Sequence, residues 1–383
     1  MNPRACAVKE IANRKPIKSG VNPRSGIEQF GHLTFNREVM KKMLSKEVFA
    51  HMQQVMDGKA KLKGSAADKV ADAMKEWAIS HSATHFTHWF QPLTGTPAEK
   101  HDAFIDWRGE GELIEKFTGK ILLRGEPDAS SFPSGGLRRT HQARGYTTWD
   151  PTSCAFLWKT ANSVVLCIPS FFYSWTGEAL DHKIPLMRSD RMINDAALRL
   201  MRLFSIPSKH VYSTLGCEQE YFIVDKALYQ LRPDLIMVGR TVCGASATKE
   251  QELEAHYFRM IKERVMAFIQ EFETEGYALG IPLKTRHSEV APGQFEVAPI
   301  YEKASLAVDH NLVLMELMKE VANRHGLVCL LNEKPFQGIN GSGKHNNWSL
   351  ATDTGLNLLD PTDSPGTSLP FLIMLTATIY AVY

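Results

Sequence analysis

The segment that most constrains this chain is Val211-Tyr212-Ser213-Thr214-Leu215-Gly216-Cys217-Glu218-Gln219-Glu220-Tyr221-Phe222-Ile223-Val224. Apolar residues on both sides read as a buried strand, and side chains at i and i+2 of a strand share a face. Glu218 and Glu220 are therefore expected to project together from an element that belongs in a core. Two neighbouring carboxylates are costly there unless a cation lies between them. The fold has either to supply that cation or to turn the pair out to solvent.

The rest of the chain is ordinary enough to narrow the choice. Its 383 residues allow two or three domains with a sizeable core. Lys and Arg number 44 against 42 Asp and Glu, so the charge balance points to neither nucleic acid nor an anionic membrane. The basic stretch holding Arg4, Lys9, Arg14, Lys15, Lys18 and Arg24 lacks aromatic interleaving, and residues 1–25 are expected to be a solvated, poorly ordered arm. Cys6, Cys154, Cys167, Cys217, Cys243 and Cys329 form no CxxC pair, which favours a reducing, cytoplasmic setting. The N-terminus has no apolar stretch of a secretory signal. The most apolar run, residues 369–383, is shorter than the ~20 residues a membrane span needs.

Periodicity places the other elements. Helices are predicted over 35–56, 66–80, 189–205, 249–275 and 304–325, the fourth from Leu253, Tyr257, Ile261, Val265, Phe268 and Phe272 on one face. Strands are predicted at 84–90, 154–159, 163–168 and 328–331. His85 and His88, three apart on a strand, face opposite sides and cannot share one metal. Residues 121–137 pass from a strand into a Ser/Gly/Pro loop containing Asp128, either a surface turn or a ligand-presenting loop.

Two further segments carry chemistry. In His287-Ser288-Glu289-Val290-Ala291-Pro292-Gly293-Gln294-Phe295-Glu296, the two acids are seven positions apart. An unbroken strand would send them to opposite faces, but Pro292-Gly293 interrupts the register, so two strand pieces around a turn can aim both into one pocket. Asn340-Gly341-Ser342-Gly343-Lys344-His345 is a Gly-rich loop without the Walker order. Taken singly, these are a solvent-facing pair, a hairpin and a turn. Taken together, Glu218, Glu220, Glu289, Glu296 and His345 suit hard divalent cations such as Mg²⁺ or Mn²⁺, and two ions better than one. Two ions in an oxygen-rich pocket suggest phosphoryl transfer.

In this order, GCEQEYF, EVAPGQFE and NGSGKH resemble the catalytic-domain signatures of glutamine synthetases. THWFQPLTG, DASSFPSGG and RGYTTWDPTS look like the type III branch, and the resemblance spans roughly residues 28 to 383. It implies an α+β fold: an N-terminal arm with helices over 1–80, a β-grasp-like domain over 81–185, and a catalytic domain with a curved antiparallel sheet over 186–383. It also implies a glutamate–ammonia ligase that uses ATP and passes through γ-glutamyl phosphate, assembled as a dodecamer of two hexameric rings. By the same resemblance Glu220, Glu289 and Glu296 hold one metal, and Glu218 and His345 the second, beside the ATP phosphates. Asn340 and Gly341 match the glutamate loop, and Tyr301, Asn347 and Ser349 match positions near the nucleotide. Asp128 matches the Asp that helps deprotonate ammonium.

The family's later elements, an Arg-rich stretch, a flap Glu and a further metal-ligand Glu, have no match after His345, so the catalytic domain is expected to be partial and its activity impaired. A γ-glutamyl–amine ligase and a non-catalytic nucleotide-binding or assembly member are the alternatives.

Overall fold

The computed structural model describes residues 2–17, 23–93, 95–109, 111–127, 144–242 and 257–383. Asp128 and residues 249–256 of the predicted fourth helix lie outside them. The chain packs as two compact units, Gly31–Met192, and Met1–Phe30 with Ile193–Tyr383.

In the unit Gly31–Met192, the single helix predicted over 35–56 is two, Arg37–Met43 and Lys46–Met56. Leu44 is extended, and the Ser45 hydroxyl accepts from the Val48 amide at 3.3 Å, which starts a new helix. The helix Gly64–Ser80 buries Ala67, Val70, Met74, Trp77 and Ala78 on one face. Residues 121–123, read from sequence as strand, end a short helix, Gly119–Leu123, capped by the Thr118 side chain. A β-carbon on Gly119 would lie 2.7 Å from the Ala67 backbone. This glycine therefore permits the close approach of the two helices, and its amide donates to Asp68 Oδ1 at 2.8 Å.

The strands of this unit are β1 (His85–Trp89), β2 (Asp102–Ala103), β3 (Ile105–Trp107), β4 (Leu113–Glu115), β5 (Gly145–Trp149), β6 (Phe156–Lys159) and β7 (Val164–Ser174). The sheet runs β2-β1-β7-β5, with β6 also on β7, while β3 and β4 form a separate hairpin. β1 and β7 are parallel and the other pairings are antiparallel. β7, at 11 residues, organises the sheet. It pairs with β6 up to Cys167 and with β5 from Ser170, so the partner changes around Pro169, which has no N–H to give a ladder. His88 is buried as a structural group: Nε2–H donates to the Ile121 carbonyl at 2.9 Å, and Nδ1 accepts from the Thr147 hydroxyl at 2.8 Å.

In the second unit residues 2–17 stay largely exposed, as a solvated arm would, but depart from the poorly ordered chain expected of them. Residues Pro3–Ala12 form a helix capped by Asn2. Arg14 bonds the Gly326 carbonyl at 2.5 Å and lies 3.4 Å from the buried Asp225 carboxylate. Arg14 thus ties the end of this helical segment to the Asp225 side chain and the Gly326 carbonyl.

The strands here are β8 (Val211–Cys217), β9 (Gln219–Asp225), β10 (Leu283–Ser288), β11 (Gln294–Pro299), β12 (Glu302–Lys303), β13 (Leu327–Leu330) and β14 (Asn346–Thr352). They build two antiparallel sheets, β10-β11-β9-β13 and β12-β8-β14. Helices Glu263–Ala278 and Ala304–Arg324 bury Phe268 and Phe272, and Leu314, Leu317 and Met318. The rings of Phe268, Phe272 and Phe295 surround the fully buried Tyr221 ring of β9 at 6.1 to 6.3 Å. The helix predicted to include Tyr257 and Ile261 begins only at Glu263. Arg264, in its first turn, bonds Asp225 at 2.5 Å and the carbonyls of His325 and Gly326, and this tertiary anchor fixes the start. Among the described residues no helix is long and apolar enough to cross a membrane.

Candidate metal centre

The site lies wholly within the second unit, and its first structural fact corrects the continuous strand read from sequence. The strand divides at Glu218, which joins β8 in one sheet to β9 in the other. The Gly-rich loop then runs alongside the junction. β14 pairs with β8 up to Asn346 opposite Cys217, and the pairing continues as Glu218 N–H to the His345 carbonyl (2.9 Å) and Glu220 N–H to the Gly343 carbonyl (3.3 Å). Main-chain bonding thereby carries the imidazole to the two acids. His345 Nδ1 is 3.1 Å from Glu218 Oε2 and 3.7 Å from Glu220 Oε1.

The other acids arrive through sheet register. Glu296 on β11 stands opposite Glu220 on β9 and, across its other edge, opposite His287 on β10. Three candidate ligand side chains are thus in line across three strands. Gly293, at φ 73, turns the chain between β10 and β11 in the left-handed region that glycine tolerates. Glu289 sits just past the end of β10, and His287 lies 3.3 Å from both Glu289 and Glu296. Two sets of ligand atoms lie within 4.8 Å of one another: Glu218, Glu296 and His345, and His287, Glu289 and Glu296. Glu296 belongs to both.

Electrostatics marks these groups as unusual. Glu220, Glu289 and Glu296 are 6%, 9% and 7% exposed, which is rare for acids without a counter-charge. Burial pushes the Glu289 carboxyl above its ordinary range, and the Glu220 charge pushes it further. Burial, then the charge of Glu218, does the same to Glu296. A site whose own carboxylates oppose ionisation is one that a divalent cation stabilises.

Glycines shape the loop. A β-carbon on Gly341 would fall 2.2 Å from the Glu333 carbonyl oxygen, and one on Gly343 would press within 3.2 Å of Glu220 Oε1 and 3.0 Å of His345 Nε2. Either side chain would move the loop or intrude between Glu220 and His345.

Glu218, Glu220, Glu289, Glu296 and His345, named from sequence, are therefore brought together. Asn347 joins them, donating to Glu218 Oε1 at 2.6 Å. Gly341 adjoins through its carbonyl, which accepts from the Gln294 amide at 2.8 Å, and Asn340 precedes it on the surface. Tyr301 is 68% exposed and borders Gly216, and Ser349 donates to Asn357 at 2.5 Å. Neither forms a hydrogen bond to the acids. Two residues escaped the sequence reading. His287 could have been found from its position two residues before Glu289 on a strand, but Gln294 carries no signal in sequence beyond lying in the motif.

The architecture and site define the class first: an α+β protein with an acid-lined candidate cation site at the junction of two antiparallel sheets. Comparison then gives the family. Residues 27–189 match the family model for the glutamine synthetase type III N terminal region, and residues 200–374 match that for the glutamine synthetase catalytic domain. The chain is 48% identical over 381 residues to the type-3 glutamine synthetase of Dictyostelium discoideum, covering 98% of this chain and 52% of that protein. It is 48% identical over 377 residues to a glutamine synthetase of Bacteroides fragilis, covering 98% and 51%. A cryo-EM structure of Plasmodium falciparum glutamine synthetase shares the fold at TM-score 0.53 and 15% identity, over 75% of this chain and 55% of that one. The chain belongs to the glutamine synthetase family, in its type III branch. It spans about half the length of the curated relatives it matches.

Proposed function

We propose that this chain supplies the cation- and substrate-binding part of an ATP-dependent glutamate–ammonia ligase. The observation that carries the reading is the convergence of Glu218, Glu220, Glu289, Glu296 and His345 on one self-repelling site, with Glu220, Glu289 and Glu296 buried, Glu218 half-buried and His345 exposed. The donor set fits Mg²⁺ or Mn²⁺: hard carboxylate oxygens with one or two imidazoles. Glu220, Glu289 and Glu296 would hold one ion and Glu218 and His345 a second, with Glu296 at the border between them and His287 beside the first. Bound there, such ions would neutralise charge on the transferring phosphoryl group.

The reaction sets what the residues must do. The γ-carboxylate of glutamate attacks the γ-phosphorus of ATP, the bond to ADP breaks, and γ-glutamyl phosphate forms. The lone pair of ammonia then attacks the γ-carbonyl carbon, phosphate leaves, and a proton is lost. Asn340 and Gly341 hold glutamate, while Tyr301, Asn347 and Ser349 lie toward the nucleotide. Asp128, outside the described residues, takes the ammonium proton. The working form is a cytoplasmic homo-oligomer, a dodecamer of two hexameric rings.

The test uses the full-length protein. ADP release should require glutamate, ammonia and Mg²⁺ or Mn²⁺ together. Release that proceeds equally without glutamate overturns the reading. Faster turnover with methylamine or ethylamine than with ammonia would reassign the chain to amine ligation.

A further inference from the structure

We infer that Gln294 is the positioning residue of the centre: it fixes Glu220 to offer one oxygen to a cation and ties that carboxylate to the substrate loop. The inference rests on the cation reading of the site.

Gln294 is 2% exposed and uses its whole amide. Its Oε1 accepts from the Ala291 amide at 3.0 Å, and Nε2 donates to Glu220 Oε2 at 2.9 Å and to the Gly341 carbonyl at 2.8 Å. Those partners lie on three different segments: the turn before β11, strand β9 and the Gly-rich loop. The amide orientation follows from them. A flipped amide would set its oxygen against a carboxylate and a carbonyl, and its NH₂ against an N–H donor.

The consequence falls on Glu220. Its Oε2 also accepts from the Gly343 amide at 3.0 Å, so that oxygen is engaged by two donors. Oε1 is the one turned toward His345 Nδ1, at 3.7 Å. Glu220 is therefore a monodentate ligand whose free oxygen is aimed by Gln294 and Gly343. Because Nε2 bonds both Glu220 and Gly341, a shift of the loop at Gly341 is felt at the carboxylate.

The test is a double-mutant cycle in the full-length protein, with Mn²⁺ binding followed by the paramagnetic signal of the free ion. Gln294→Met keeps the volume and removes all three bonds. It should weaken Mn²⁺ binding at least tenfold in an otherwise unchanged protein. It should have little further effect beside Glu220→Gln, because the amide acts through that carboxylate. Gln294→Asn retains an amide one methylene too short to span the three partners and should follow the same pattern, which keeps the test open should the Met variant not fold. Equal losses with and without Glu220→Gln, or no loss in either Gln294 variant, overturn the positioning role while leaving the cation reading in place. Unchanged protein that binds no Mn²⁺ overturns both.

Discussion

Glu220 on β9 and Glu296 on β11 stand directly opposite each other across an antiparallel pair, both buried. Directly opposed like charges destabilise a sheet by up to about 1 kcal/mol. Glu296→Gln should therefore raise the urea midpoint of cation-free protein at pH 7, with a gain in unfolding free energy of up to about 1 kcal/mol. A lowered midpoint in chelator would contradict the repulsion. The pH dependence has a definite sign. Glu289 and Glu296 are shifted upward from 4.5, by burial first, so the native chain holds their protons more tightly than the unfolded chain. In chelator their contribution falls as pH rises from 4.5 through the raised native values, and saturating Mn²⁺ should abolish that fall.

His88 gives the opposite slope. Burial lowers its pKa from 6.5 to about 4, against the raising effect of its bond to the Ile121 carbonyl. The native state therefore binds this proton less tightly than the unfolded state. Stability present above pH 6.5 is lost as pH falls toward about 4, and the full loss is about 3 kcal/mol. Denaturant midpoints taken from pH 7 to pH 4 should show this decline. A His88→Gln variant with an equally steep decline would show that His88 is not its source.

Lys183 and Asp150 form an ion pair at 2.8 Å with each side chain 2% exposed. The Lys183 ammonium also sits 5.6 Å from the Phe171 ring centre. Lys183→Met leaves a buried, uncompensated carboxylate and should cost about 3–5 kcal/mol. Adding Asp150→Asn should recover part of that loss, because the stranded charge goes with it. Thermal unfolding of the single and double variants reads both numbers, and a double variant less stable than the single would refute the explanation.

Gly341→Ala tests the loop. The added methyl meets the Glu333 carbonyl oxygen, a backbone atom that cannot swing aside, so the loop has to move. Mn²⁺ affinity should drop by about tenfold or more, while the chain loses only about 1–3 kcal/mol of stability. Unchanged Mn²⁺ affinity in a folded variant would separate the loop from the centre.

What could be read in advance follows from the physics of each element. Acids embedded in apolar strand sequence are conspicuous because burial penalises them, so Glu218, Glu220, Glu289 and Glu296 stood out without any structure. The turn at Pro292-Gly293 was legible for the same kind of local reason. Features set by distant partners were not. The break at Glu218 depends on two sheets claiming the two halves of one apolar run. The start of the helix at Glu263 depends on Arg264 meeting Asp225, and the tie of the N-terminal residues to this unit on Arg14 meeting the same acid. The strand predicted at residue 121 fails because Thr118 caps a helix there. Gln294 looks like any polar residue until its three partners are seen.

The most direct measurement is Mn²⁺ titration calorimetry of the full-length protein beside its Glu289→Gln, Glu296→Gln and His345→Ala variants. Saturable binding is predicted in the unchanged protein, weakened at least tenfold by each substitution, with the largest loss at Glu296, which borders both sets of ligands. Absence of saturable binding, or equal affinity in all four proteins, would contradict the assignment of these acids to a cation site.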